Sequence, residues 1–73
     1  MASEWITISE AAELYGKSVR TLERRLADDE LPPHDLDLGV RYWRRRDVER
    51  HIRHIEKRGR WISWDRISSK TAA

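Results

Sequence analysis

Apolar positions along this chain fall into short blocks separated by turn residues, and the spacing within each block predicts its element. Trp5-Ile6-Thr7-Ile8 reads as a short extended lead-in. Ser9 then stands where a helix N-cap belongs, with Glu10 beside the positive end of the helix. Ala11, Ala12, Leu14 and Tyr15 make a compact apolar face, and Gly16 closes the helix after about two turns. Ser18 predicts a second N-cap only two residues later. Leu22 and Leu26 follow one helical turn apart, flanked by Thr21 and Arg25, while Arg20, Glu23, Arg24 and Ala27 fall on the other side. Asp28-Asp29-Glu30 puts three carboxylates at the negative helix end, which helps to stop it.

Leu31-Pro32-Pro33 cannot continue a helix, because proline lacks an N–H and restricts the residue before it. The stretch from Pro33 to Trp43 predicts a hairpin. Asp35, Asp37 and Gly39 supply its turn chemistry, and Val40-Arg41-Tyr42-Trp43 supplies a strand rich in β-branched and aromatic residues. A third helix starts at Arg46-Asp47, carries Val48, Ile52 and Ile55 on one face, presents Arg50, Arg53, Lys57 and Arg58 on the other, and ends at Gly59. Beyond it, Trp61, Trp64 and Ile67 share a face if the segment is helical. The predicted fold is small α+β. Two short helices joined by a glycine turn, a β-hairpin wing and a third helix make a winged helix-turn-helix over residues 1–59, and residues 60–73 form a C-terminal tail.

Composition narrows the class. A chain of 73 residues is one domain, and a domain of this size buries only ~60% of the surface its unfolded form exposes. The absence of cysteine excludes a disulfide framework and a cysteine zinc site. No apolar run approaches the ~20 residues of a membrane span, and the N-terminus lacks the apolar core of a signal peptide. The expectation is a cytoplasmic protein with no membrane partner. Charged residues make up 38%, well above the usual ~25%, yet the net charge is only +2. That balance conceals a split. Residues 1–40 hold four basic and nine acidic side chains, whereas residues 41–60 hold nine basic and three acidic ones. Such asymmetry points to a polyanion-facing surface or to a solvated helix face.

Candidate chemistry is sparse. There is no glycine-rich phosphate loop and no Ser/His/Asp arrangement that a core this small could pre-organise, so no enzyme and no cofactor are expected. His51 and His54 have helical i, i+3 spacing but no third ligand nearby, and Arg50 and Arg53 surround them. No metal is expected; weak phosphate or surface contacts are. Trp43 and Tyr42 read as packing residues of the wing and core. Arg20 and Arg24 repel each other at i, i+4, and Glu23 alone does not neutralise both, so a polyanion relieves them.

The run from Ile6 to Gly16, then Ser18-Val19-Arg20-Thr21-Leu22, resembles the opening of the excisionase-type domains of the MerR-like superfamily. Leu31-Pro32-Pro33, Leu38-Gly39-Val40-Arg41-Tyr42-Trp43-Arg44 and Asp47-Val48-Glu49 resemble their wing and closing helix, so the likeness covers roughly residues 5–56. The resemblance implies a protein that binds double-stranded DNA, with the second helix in the major groove and the hairpin at the adjacent minor groove. Carried over residue by residue, Arg20, Thr21, Glu23 and Arg24 face the bases, where Arg suits guanine and Glu suits cytosine. Arg41, with Val40 and His34, belongs to the wing. Ser18, Arg44, Arg45 and Arg46 are phosphate candidates, Ser18 equally serving as a helix cap.

Two departures stand out: Val40 directly follows Gly39 where a basic residue suits a minor groove better, and Arg25 replaces a bulky apolar residue. In excisionases the region after the winged domain contacts the integrase, so Trp61, Trp64 and Ile67 are either partner residues or packed back on the domain. The implied protein is a phage or bacterial recombination directionality factor, monomeric in solution and self-associating on DNA. A small transcription regulator of the MerR-like type and a protein-interaction module that does not touch DNA are the alternatives.

Overall fold

The computed structural model describes residues 4–68, so residues 1–3 and the last part of the expected tail, 69–73, lie outside the described residues. Chain order is β1 (Trp5–Ile6), α1 (Ile8–Tyr15), α2 (Val19–Ala27), β2 (His34–Asp37), β3 (Val40–Arg44), α3 (Arg45–Arg58) and α4 (Trp64–Ser68). This is the small α+β winged helix-turn-helix that the sequence predicts, with one strand and one short helix more than expected among the described residues.

Thr7, not Ser9, caps α1. The Thr7 hydroxyl accepts from the Glu10 backbone N–H at 3.4 Å, and the Glu10 carboxylate accepts from the Thr7 N–H at 3.2 Å. This reciprocal pair needs Thr and Glu three residues apart, a spacing that Thr7 has and Ser9 lacks. Ser18 caps α2 as expected, accepting from the Thr21 N–H at 3.2 Å. Gly16 ends α1 at φ 70, the left-handed conformation that lets the chain turn straight into Ser18.

The sheet is antiparallel with order β1-β3-β2. The predicted hairpin is present, and β1 adds a third strand through Trp5↔Arg44 and Ile6↔Trp43. The turn differs from expectation. Asp35 and Asp37 belong to β2, and pairing of Asp37 with Val40 leaves only Leu38 and Gly39 in the turn. Both have positive φ, 50 and 79, as a tight two-residue hairpin turn demands. Gly39 adopts this freely. Leu38 does not, because its Cβ crowds the following carbonyl. Since Leu38 is 96% exposed and has no packing to lose, Leu38→Asn is expected to stabilise the fold by about 0.5–1 kcal/mol. Urea denaturation measures this, and an unchanged or lowered midpoint contradicts the strain.

The core gathers Ile6, Ala11, Ala12, Leu22, Leu31, Trp43 and Val48, with Ile8, Tyr15, Leu26, Ile52 and Trp61 packed around it. Trp43, 1% exposed, is its largest member, and its indole N–H donates to the Pro32 carbonyl at 3.0 Å. That bond joins the Pro32-Pro33 break to the sheet. α1 packs against α2, α3 and β3, which makes it the support for both DNA-reading candidates. α3 begins at Arg45, one residue before the predicted start, where the Arg45 N–H donates to the Glu4 carbonyl at 2.8 Å. The strand's last tie therefore coincides with the first helical residue.

His51 is a correction. Read from sequence as a surface or phosphate contact, it is 0% exposed. It lies on the α3 face that carries Val48, Ile52 and Ile55, and is enclosed by Tyr15, Trp61 and Trp64. Trp61, Trp64 and Ile67 do not share one helical face, because α4 starts only at Trp64. Residues 61–63 form no regular element and are tied to the domain by two bonds: Ile62 offers its carbonyl to His51, and the Trp64 N–H donates to the Glu30 carbonyl at 2.9 Å.

Candidate nucleic-acid interface

α2 buries Leu22 and half-buries Leu26 and Thr21, which turns Arg20, Glu23 and Arg24 outward. Helical periodicity sets this directly. Arg20 and Arg24 sit one turn apart, and neither has an ion-pair partner among the described residues. The Ser18 and Thr21 hydroxyls lie 2.9 Å apart and bond to each other, so Thr21 reaches a base only by sharing that bond. Ser18 is committed to capping the helix.

On the hairpin, His34 and Leu36 share the face of Trp43 and Arg41, while Asp35 and Asp37 share the opposite face with Val40 and Tyr42. His34 is at the base of the hairpin, its ring 5.3 Å from that of Trp43, and so is not at the tip. Arg41 and Val40 are exposed. The tip itself is Leu38-Gly39, apolar and bordered by Asp37.

The triple arginine spreads over three surroundings. Arg44 pairs with Glu4 at 2.8 Å and lies 4.6 Å over the Trp5 ring. Arg45 meets Glu49 one turn along α3 at 3.5 Å. Arg46 has a side chain 77% exposed, with Asp47 4.0 Å away. Arg46 is therefore the freest of the three to meet a phosphate.

Arg25, the apparent departure from an apolar position, has a structural explanation. Its guanidinium lies 4.7 Å from the Trp61 ring centroid and pairs with Glu30 at 3.2 Å. The Trp61 indole N–H donates to the same Glu30 carboxylate. Arg25, Glu30 and Trp61 thus tie the end of α2 to the segment after α3. Sequence reasoning missed this cluster; an Arg in an apolar slot was its one visible signal. Ile67 is buried, and Trp61 and Trp64 are half-buried, so of the two roles open to these residues much of their apolar surface is spent on packing against the domain.

Behind this cluster lies His51. Its Nε2 is 2.5 Å from the Ile62 carbonyl and its Nδ1 is 2.6 Å from the Tyr15 hydroxyl. A carbonyl only accepts, so Nε2 carries the proton and Nδ1 accepts from Tyr15. Burial lowers the His51 pKa below its ordinary imidazole value, with nearby His54 acting in the same direction; the Ile62 bond and Glu30 oppose the shift. Burial also raises the Tyr15 pKa, which keeps its hydroxyl a donor.

Because the folded state disfavours His51 protonation, the unfolded chain binds the extra proton first. Stability is full above the unfolded pKa near 6.5 and falls on acidification below it, by at most about 1.4 kcal/mol per pH unit. Thermal unfolding from pH 7.5 down to about 5.5 is expected to show this fall, and His51→Gln to flatten it. A wild-type profile already flat over that range contradicts the assignment.

Two helices at a glycine turn, the second capped and arginine-bearing, match the helix-turn-helix domain family over residues 5–55. The chain belongs to that family. No curated protein and no solved structure matches it. As a helix-turn-helix domain it is a DNA-binding module whose partner is double-stranded DNA. The family match ends inside α3, so the helix-turn-helix signature does not extend to Trp61, α4 or the basic residues after Glu56. No described helix is long and apolar enough to cross a membrane. No group of three or more metal-ligating side chains occurs among the described residues.

Proposed function

We propose that this chain is an excisionase-like recombination directionality factor that binds and bends attachment-site DNA and so directs an integrase toward excision. The observation that carries the DNA half of this reading is the exposed Arg20–Arg24 pair on α2, with no carboxylate in ion-pair reach among the described residues. α2 lies in the major groove, Arg20 and Arg24 read guanines, and Glu23 and Thr21 add base contacts. Arg41 on the wing and Arg46 at the start of α3 contact the flanking backbone. The recombination half rests on the ordered likeness of residues 5–56 to excisionases.

The protein does no chemistry. It acts in a phage or bacterial cytoplasm, as a monomer that self-associates on DNA. Bending a site of 20–30 base pairs costs on the order of 1–6 kcal/mol, which a lone module with few phosphate contacts does not readily supply. Neighbouring copies or integrase contacts make up the difference. Footprinting on attachment-site DNA, with and without the adjacent integrase, tests the reading together with a reconstituted excision assay. Protection strengthened by the integrase and excision dependent on this chain are expected. Operator binding with no effect on recombination assigns it instead to transcriptional regulation.

A further inference from the structure

Two separate surfaces of this chain have complementary chemistry. One face of the hairpin tip is apolar and acidic: Leu38 is 96% exposed and Val40 43%, and Val40 shares its face with Asp35 and Asp37, while Leu36 and Arg41 lie on the other face. After α3, an open groove of about 700 Å³ places Arg58, Arg60 and Arg66 around Trp61, Ile62 and Ile67. Within one molecule the almost fully exposed Leu38 is not seated in any groove.

We propose that the hairpin tip of one copy docks in this groove of a second copy, with Leu38 and Val40 against Trp61 and Ile62, and Asp35 and Asp37 facing Arg58 and Arg60. Three observations favour a second copy over other occupants. Both halves of the contact exist on this chain, with opposite charge and matching apolar centres. The two carboxylates repel a DNA backbone, so this face of the tip suits protein, and it leaves Arg41 on the opposite face open to DNA. A leucine held at positive φ and fully exposed is poor for the fold alone, and strain of that kind persists where an interaction outside the fold uses it.

The contact is heterologous: tip and groove are different surfaces, so a pair of copies leaves one of each unused and the chain of contacts does not close. A tip this small buries far less than the roughly 1,200 Å² of a stable interface, which makes the association weak and salt-sensitive. It needs no DNA, so it stands or falls separately from the excision reading.

Sedimentation velocity of the full chain without DNA, at low salt and over a hundredfold concentration range reaching the millimolar, tests it. Wild type is expected to form dimers and longer species as concentration rises. Leu38→Asn, which keeps the turn, and the pair Arg58→Gln with Arg60→Glu are each expected to weaken association at least about tenfold. Thermal unfolding checks that each variant folds. Mixing the two variants is expected to restore a heterodimer and nothing longer, because one retains its groove and the other its tip. A wild type that stays monomeric throughout, variants that associate as wild type does, or a mixture that stays monomeric overturns the proposal. So does a groove that takes up an acidic apolar peptide or a DNA duplex while Leu38→Asn still self-associates.

Discussion

Replacing Arg20 and Arg24 together by alanine is expected to weaken binding to duplex DNA by about a hundredfold or more. Each arginine paired bidentately with a guanine contributes about 1–3 kcal/mol, and the two sit on the exposed side of α2 without an internal partner. The fold is not at risk. Both positions are exposed, alanine favours helix, and the change removes a like-charge pair one turn apart. Any loss of affinity therefore reads the interface itself. Arg24→Lys separates the two kinds of contact: it keeps a charge for phosphate but loses the planar fork that reads guanine. Discrimination between sequences is expected to fall more than total affinity. Titration by fluorescence anisotropy across a salt series measures both, and the double variant is expected to show a shallower salt slope. Equal affinity of the double variant and wild type at low salt removes α2 from the interface.

Trp61→Ala is expected to cost about 2–3 kcal/mol of stability, near the low end for a buried aromatic because Trp61 is only half-buried. Several contacts go at once. The ring lies against Tyr15 and His51, with centroids 5.6 and 5.0 Å away, and carries the Arg25 guanidinium. Its N–H bond to Glu30 is lost as well, which leaves Arg25 and Glu30 to each other. Trp61→Phe keeps an aromatic ring but removes the N–H and part of the indole's packing surface, so it is expected to cost less than Trp61→Ala, about 1–1.5 kcal/mol. Chemical denaturation gives both values. Hydrogen exchange locates them, with faster exchange expected at Trp64, whose N–H rests on the Glu30 carbonyl. An unchanged midpoint in Trp61→Ala means that the segment after α3 contributes nothing to the fold.

The arginine pair and Trp61 stand at opposite ends of what can be read from a sequence. Arg20 and Arg24 are visible because a short amphipathic helix leaves little choice: Leu22 and Leu26 must face inward, and the side chains opposite them face water. Trp61 has no such rule. Its partners Tyr15, Arg25, Glu30 and His51 are scattered through earlier parts of the chain, and no local period links them.

The local elements were therefore determined by sequence alone, through interactions a few residues long. Ser18 caps α2, Gly16 and Gly59 end helices, Pro32-Pro33 breaks the chain, and the Val40–Trp43 run makes a strand. The same locality explains the small errors. Ser9 and Thr7 are both cap residues, and only the reciprocal bond with Glu10 separates them. Asp35 and Asp37 are turn formers by type, yet strand pairing to Tyr42 and Val40 holds them extended. Tertiary structure alone decided the rest. A two-residue β1 exists only because β3 is there to pair with it. A polar imidazole at His51 is inside because Tyr15 and the Ile62 carbonyl satisfy both ring nitrogens. In each case the deciding free energy comes from a partner distant along the chain, and that partner has no position until the chain has folded.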